Sequence, residues 1–176
     1  YSSKPYDPTR VMDNGLPKPL KEVGIEQKLN EQIPLDAEFK NEEGQTIKLS
    51  EYFGKKPVVL ALVYYECPML CSEVLNGLTG SIKGLNFNVG KEFDVLAISF
   101  DARENDKPGL TKSKKESYVK RYGREESAAG WHFLTGTQDS IDKLTKAVGF
   151  NYVWDEQTKQ FAHAGAIMVL TPEGKL

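Results

Sequence analysis

Nine consecutive residues, Pro57-Val-Val-Leu-Ala-Leu-Val-Tyr-Tyr65, carry no charge and are rich in β-branched and aliphatic side chains. A strand with one wet face alternates polar and apolar residues, so a run without a polar face reads as a strand buried on both sides. At strand length it falls far short of the roughly 20 residues that a membrane helix needs. Other elements must therefore cover it. Met69 to Leu85 supplies one, with Leu70, Val74, Leu75, Leu78, Ile82 and Leu85 at three- and four-residue steps, the pattern of an amphipathic helix. Gly77, Gly80 and Gly84 weaken that helix. A second apolar run, Phe93 to Phe100, follows it. Strand, helix, strand in that order predicts parallel strands with helices on the faces of the sheet.

The flanking text extends this α/β plan. Phe39 to Leu49 reads as two short strands around a Glu-Gly turn, an N-terminal hairpin added to the sheet. Ser50 suits a short helical cap before Tyr52 and Phe53. Lys112 to Tyr122 reads as a charged surface helix, Trp131 to Leu134 as a strand, Ser140 to Val148 as a short helix and Asn151 to Trp154 as another strand. Gln160 to Leu170 is expected to be one strand, ahead of a Thr-Pro-Glu-Gly turn at Thr171 to Gly174. Pro5, Pro8, Pro17 and Pro19 with Asp13, Asn14 and Gly15 give the first twenty residues no periodicity. Residues 1–33 are thus expected to be an extended arm or tether, and residues 34–176 one domain, truncated at Leu176 where a hairpin partner strand should begin. The 176 residues suit one domain with a sizeable core.

Composition narrows the function. Hydrophobic residues at 39% and charged residues at 27% mark a packed globular chain. Lys and Arg number 23 against 25 Asp and Glu, so there is no field to hold a polyanion, and nucleic-acid binding is not expected. The chain opens on Tyr1, and an export signal or an N-terminal membrane anchor is expected to precede it.

Two cysteines are too few for a disulfide scaffold. They lie together, in Glu66-Cys67-Pro68-Met69-Leu70-Cys71, where the first strand hands over to the first helix, and ligands of open α/β sheets gather at such carboxyl ends. Cysteines four apart on a helix share one face, so their sulfurs can meet each other or one metal ion. Pro68 suits the first helical turn, and the helix N-terminus favours thiolates, the form that binds metal and attacks disulfides. A disulfide there closes a ring of about five residues and stabilises by roughly 2 kcal/mol on the chain-entropy model, little for a structural staple. A structural zinc site would need every Cys and His in the chain.

The histidines are His132 and His163. His132, in Trp-His-Phe-Leu, reads as structural. His163 lies in Phe161-Ala162-His163-Ala164-Gly165-Ala166, where small neighbours allow close approach of another loop. Spacing alone does not say that either reaches the cysteines.

Four motifs in order resemble the Sco/SenC family of copper-handling proteins with a thioredoxin-like fold. They are Cys67-Pro68-Met69-Leu70-Cys71, Ser99-Phe100-Asp101-Ala102-Arg103-Glu104, Trp131-His132-Phe133-Leu134-Thr135-Gly136, and Phe161-Ala162-His163 leading into Ile167-Met168-Val169-Leu170. The resemblance runs from about Pro34 to the C-terminus. It implies a thioredoxin-like domain with a central mixed sheet, and copper held by Cys67, Cys71 and His163, as Cu(I) with Cu(II) left open. Cys67 and Cys71 would also form the redox pair, and Asp101 would orient a neighbour or tune the charge of the site, or simply cap a turn. The implied role is a metallochaperone for the dinuclear copper centre of cytochrome c oxidase. Its partners would be the copper-accepting subunit and another periplasmic copper chaperone or a thiol reductase, at the periplasmic or extracytoplasmic membrane face, with membrane contact through an N-terminal anchor. A thiol-disulfide oxidoreductase acting on that subunit and a copper or redox sensor are the alternatives. Ser72 and Ala102 stand where the family commonly has proline; neither removes a ligand.

Overall fold

The structure, a computed structural model, describes residues 22–67 and 70–176, without the side chains of Leu70 and Cys71. At its centre is a four-stranded sheet in the order β6-β5-β4-β9, made of β4 (Val58–Val63), β5 (Asp94–Ser99), β6 (Trp131–Leu134) and β9 (Ile167–Leu170). β4, β5 and β6 are parallel, with Val58 opposite Asp94 and Val95 opposite Trp131, while β9 runs antiparallel along β4. The sheet is therefore mixed, as expected. Every residue of β5 and all but Val59 of β4 are buried, which is what a run with no polar face requires.

The crossovers are helical. α1 (Leu70–Lys83) joins β4 to β5 and α2 (Leu110–Tyr122) joins β5 to β6, and the two helices pack on each other. Right-handed connections running in one direction along a sheet put both helices on the same face. α3 (Gln138–Val148) packs on β7 (Phe150–Asp155). It starts with the Thr137 hydroxyl accepting the Ser140 N–H at 3.3 Å and stops at Gly149, whose φ is 70°, caps of the usual kinds. β2 (Glu38–Lys40) and β3 (Thr46–Lys48) form the expected hairpin, with Phe39 2% exposed and turned into the core.

One expectation is corrected. Gln160 to Leu170 is not a single strand but two, β8 (Gln160–His163) and β9, in different sheets. β8 forms a hairpin with β7, and β9 joins β4. The break falls at Ala164-Gly165-Ala166, where the chain passes against α1: a Cβ on Gly165 would lie 3.0 Å from Val74 Cγ2. Of the expected arm, residues 1–21 lie outside the described residues. Its later part runs along the domain, with β1 (Gly24–Ile25) pairing with β7 and Ile33 buried beside the Thr171–Gly174 turn, its N–H bonded to the Gly174 carbonyl at 3.0 Å. Among the described residues no helix is long and apolar enough to cross a membrane.

α1 carries Gly77 and Gly80 where a Cβ on either would meet nothing within 4 Å. Gly77→Ala and Gly80→Ala should each stabilise the fold by about 0.5–1 kcal/mol, read as a higher urea midpoint at unchanged slope.

Candidate metal and thiol site

β4 ends at Val63, and the chain turns through Tyr64, Tyr65 and Glu66 to Cys67. The Cys67 N–H donates to the Tyr64 carbonyl at 3.3 Å, and Cys67 is 9% exposed. α1 begins at Leu70, which puts Cys71 in its first turn. The cysteine segment thus occupies the predicted strand-to-helix corner, at the carboxyl end of the parallel strands. Pro68, Met69 and the side chain of Cys71 lie outside the described residues.

The two tyrosines of the turn bind it to different parts of the core. The Tyr65 hydroxyl lies 2.9 Å from both the Ala97 and Leu134 carbonyls, and its burial raises its pKa well above the ordinary value. Tyr64 sets its ring edge-on to Phe100, Phe161 and His163, with centroids 5.5, 5.5 and 5.8 Å away. Tyr64 therefore contacts the histidine strand directly.

His163 ends β8, half-buried, opposite Tyr152 in the hairpin. Its ring packs against Phe100 at 5.0 Å and Phe150 at 6.3 Å. Nδ1 lies 2.9 Å from the Ala164 carbonyl. A carbonyl only accepts, so this contact places a proton on Nδ1, and in the neutral ring that leaves Nε2 as the nitrogen able to bind a metal. Two contacts bring the histidine segment to the cysteine corner: Tyr64, three residues before Cys67, touches His163, and Val74, three residues after Cys71, touches Gly165. Among the described side chains no three of His, Cys, Asp and Glu converge on one point.

Asp101 lies one element away, 5% exposed. It caps a 3-10 turn, Ala102–Asp106, by accepting the Arg103 N–H at 3.0 Å. Its two oxygens also take the Arg103 guanidinium as a fork, from Nε at 2.8 Å and from Nη2 at 2.7 Å. The guanidinium stacks 4.6 Å from the Trp154 ring and 5.4 Å from Phe161. Asp101 thus reaches the histidine hairpin through Arg103.

Glu104 is a part of the site that the sequence pattern does not single out. It is 1% exposed, and its carboxylate accepts the Ser99 hydroxyl at 2.5 Å, the Tyr65 N–H at 3.0 Å and the Glu66 N–H at 2.8 Å. Burial raises its pKa, against the pull of those hydrogen bonds. Glu66 itself pairs with Lys107. The signal for Glu104 in the sequence is faint: a buried strand running straight into Asp-Ala-Arg-Glu-Asn-Asp with no helical period to place the charges outside.

His132 is at the other end of the sheet. Its Nε2 lies 3.2 Å from Asp94 Oδ2, Lys56 Nζ is 2.9 Å from Asp94 Oδ1, and the Tyr52 ring covers it at 4.4 Å. Asp94 opens β5, at the amino end of the parallel strands, whereas Cys67 follows the carboxyl end of β4. The structural reading of His132 agrees with this placement.

Known proteins are similar to this chain in sequence family and in fold. The family model for SCO1/SenC matches residues 26–176. No curated protein matches. A protein from Aquifex aeolicus VF5 is similar in structure at 26% identity and a TM-score of 0.67, over 84% of this chain and 81% of that one. Arabidopsis thaliana ScoI, solved with copper bound, matches at 18% identity and a TM-score of 0.61, over 84% of each chain. BsSco, described by its disulfide switch and as a member of the Sco family of cytochrome c oxidase assembly proteins, matches at 23% identity and a TM-score of 0.55, over 85% of this chain and 83% of that one.

Two outcomes follow from the geometry. Gly165→Val should destabilise by about 0.5–1.5 kcal/mol in urea unfolding, because its Cβ would lie 3.0 Å from Val74 Cγ2 and the half-buried Val74 side chain must leave its rotamer to make room. Asp94 is held below the ordinary aspartate value of 3.8 despite its desolvation, by His132 and Lys56. Its contribution is therefore present above 3.8 and lost as pH falls through the lowered value. Asp94→Asn should cost about 1–3 kcal/mol at neutral pH, with the gap to wild type closing on acidification.

Proposed function

The chain belongs to the SCO1/SenC family, and on that footing we propose that it is a copper(I) chaperone with Cys67, Cys71 and His163 as ligands and a reversible Cys67–Cys71 disulfide. Its cargo is delivered to the copper-accepting subunit of a cytochrome c oxidase, for the dinuclear copper centre, on the outer side of the membrane. The observation that carries this reading is the contact of the histidine segment with both flanks of the cysteine corner, Tyr64 with His163 and Val74 with Gly165.

The donor chemistry fits that cargo. Two thiolates and a neutral imidazole are soft and borderline donors, and reduced copper prefers sulfur. The Ala164 carbonyl supports the Nε2 lone pair that such a ligand needs. Around the site, Tyr64, Phe100, Phe161 and Tyr152 form an apolar wall, which lowers the dielectric and limits the access of water to the ion. Metal binding and disulfide formation compete for the same sulfurs, so the redox state of the pair governs loading.

A thiol-disulfide oxidoreductase is the second reading, favoured by the place of the pair at a helix N-terminus, where thiolates are stabilised. The two readings part at His163. Copper(I) competition titration of the reduced protein should show one tight site, weakened on His163→Ala by roughly tenfold or more, since loss of a ligand costs at least as much as loss of the groups that support one. Oxidised protein should bind copper(I) far more weakly. Unchanged affinity in His163→Ala removes that ligand. Full copper affinity after disulfide formation removes the thiolates. If His163→Ala keeps a fast disulfide exchange rate and the wild type holds no copper, the oxidoreductase reading stands in place of the chaperone.

A further inference from the structure

Two adjacent side chains of the 3-10 turn Ala102–Asp106 reach opposite halves of the site. Glu104 takes the Tyr65 and Glu66 N–H groups of the cysteine turn, and Arg103 stacks on Trp154 and Phe161 of the histidine hairpin. We propose that Asp101, Arg103 and Glu104 form a spacer that fixes the distance between the cysteine turn and His163, with Arg103 and Glu104 as positioning residues for the three-donor site. This inference rests on the ligand set proposed above.

The residue types match the task. Past the end of β4 and before α1, the Tyr65 and Glu66 N–H groups belong to neither ladder nor helix, and a buried N–H left unpaired costs about 1–3 kcal/mol. A carboxylate offers an acceptor to each; a glutamine of the same shape offers one acceptor and an NH₂ that faces the second N–H. Glu104 is itself held, by the Ser99 hydroxyl, which also accepts the Asp101 N–H at 3.1 Å. The ends of β5 and of the cysteine turn are thereby joined at one carboxylate. Lys107, just beyond the turn, adds its pair with Glu66.

Arg103 is equally specific. It presents its edge to the two oxygens of Asp101 and its flat face to two rings. A lysine can make an ion pair or lie over a ring but has no planar fork to do both. Phe161 lies two residues before His163, on the same side of β8. Whatever holds Phe161 in place therefore holds the histidine.

The two residues predict different failures. Arg103→Lys frees the hairpin alone: copper(I) affinity should fall roughly threefold to tenfold, as for a surface cation–π contact and fork lost together, with the Cys67–Cys71 midpoint potential unchanged. In a His163→Ala background the same change should cost nothing further, because the residue being positioned is gone. Glu104→Gln frees the cysteine turn: affinity and midpoint potential should both move, and should do so in the His163→Ala background as well. A metal-free readout runs beside these. Amide exchange at Tyr65 and Glu66 should quicken in Glu104→Gln only, and exchange in the β7–β8 hairpin should quicken in Arg103→Lys only. Additive losses for Arg103→Lys and His163→Ala, or a potential shifted equally by both variants, would overturn the spacer. If His163→Ala leaves copper affinity intact, the ligand set falls by itself, and amide exchange still decides: protection unchanged in both variants rejects the spacer.

Discussion

Phe100 joins two sheets that share no ladder. It stands just past the end of β5, 1% exposed, and its ring meets Tyr64 from the cysteine turn, Phe150 and Tyr152 from β7, and Phe161 and His163 from β8. Burying one such side chain contributes about 1.5–3 kcal/mol, and each well-set aromatic pair adds about 0.5–1.5 kcal/mol. The β7–β8 hairpin is thus held to the central sheet mainly by rings rather than by backbone. An aromatic cluster tolerates small rotations of its members, whereas a hydrogen-bonded ladder does not slip by less than a residue. The cysteine turn follows directly on the β4 ladder, the stiff side of this division, and the histidine lies on the compliant side. That asymmetry explains why a second, polar connection through Asp101, Arg103 and Glu104 matters: it supplies the directional contacts that the rings lack.

Sequence reasoning reaches the stiff side and stops at the compliant one. The unbroken apolar runs of β4 and β5 leave no choice of face, so their burial and parallel pairing are legible, and with them the strand-to-helix corner of Cys67 and Cys71. The Gln160–Leu170 run misleads because small residues read as permissive strand positions, and its break falls where the chain runs close to Val74, far earlier in the sequence. No local pattern records such a contact. Glu104 is hidden for a different reason: a glutamate among charged neighbours reads as solvated, and only the tertiary structure shows it inside, beneath a turn whose N–H groups have nothing else to bond. His163 stands out by its likeness to a known motif. The physical ground for it, the contact with Tyr64, depends on the docking of a hairpin that sequence does not specify.

Other polar groups of the interior serve the frame rather than the donors. Asp94, Lys56 and His132 close the amino end of the sheet, and the Tyr65 hydroxyl spans two strands beneath the cysteine turn. The first holds a largely buried carboxylate between two bases, and the second meets two carbonyls that the fold has taken out of water. Their positions leave the carboxyl end of the strands to the cysteine turn, the 3-10 turn and the histidine segment.

The β7–β8 hairpin also sets the order in which the molecule can come together. Its contacts with Phe100 and Tyr64 span long stretches of chain, and loop-closure entropy delays contacts of that kind relative to the neighbouring strand–helix–strand unit of β4, α1 and β5. A newly made chain would therefore complete its thiol corner before its imidazole arrives. During that interval the cysteine corner stands without the histidine segment and without the rings that later pack against it.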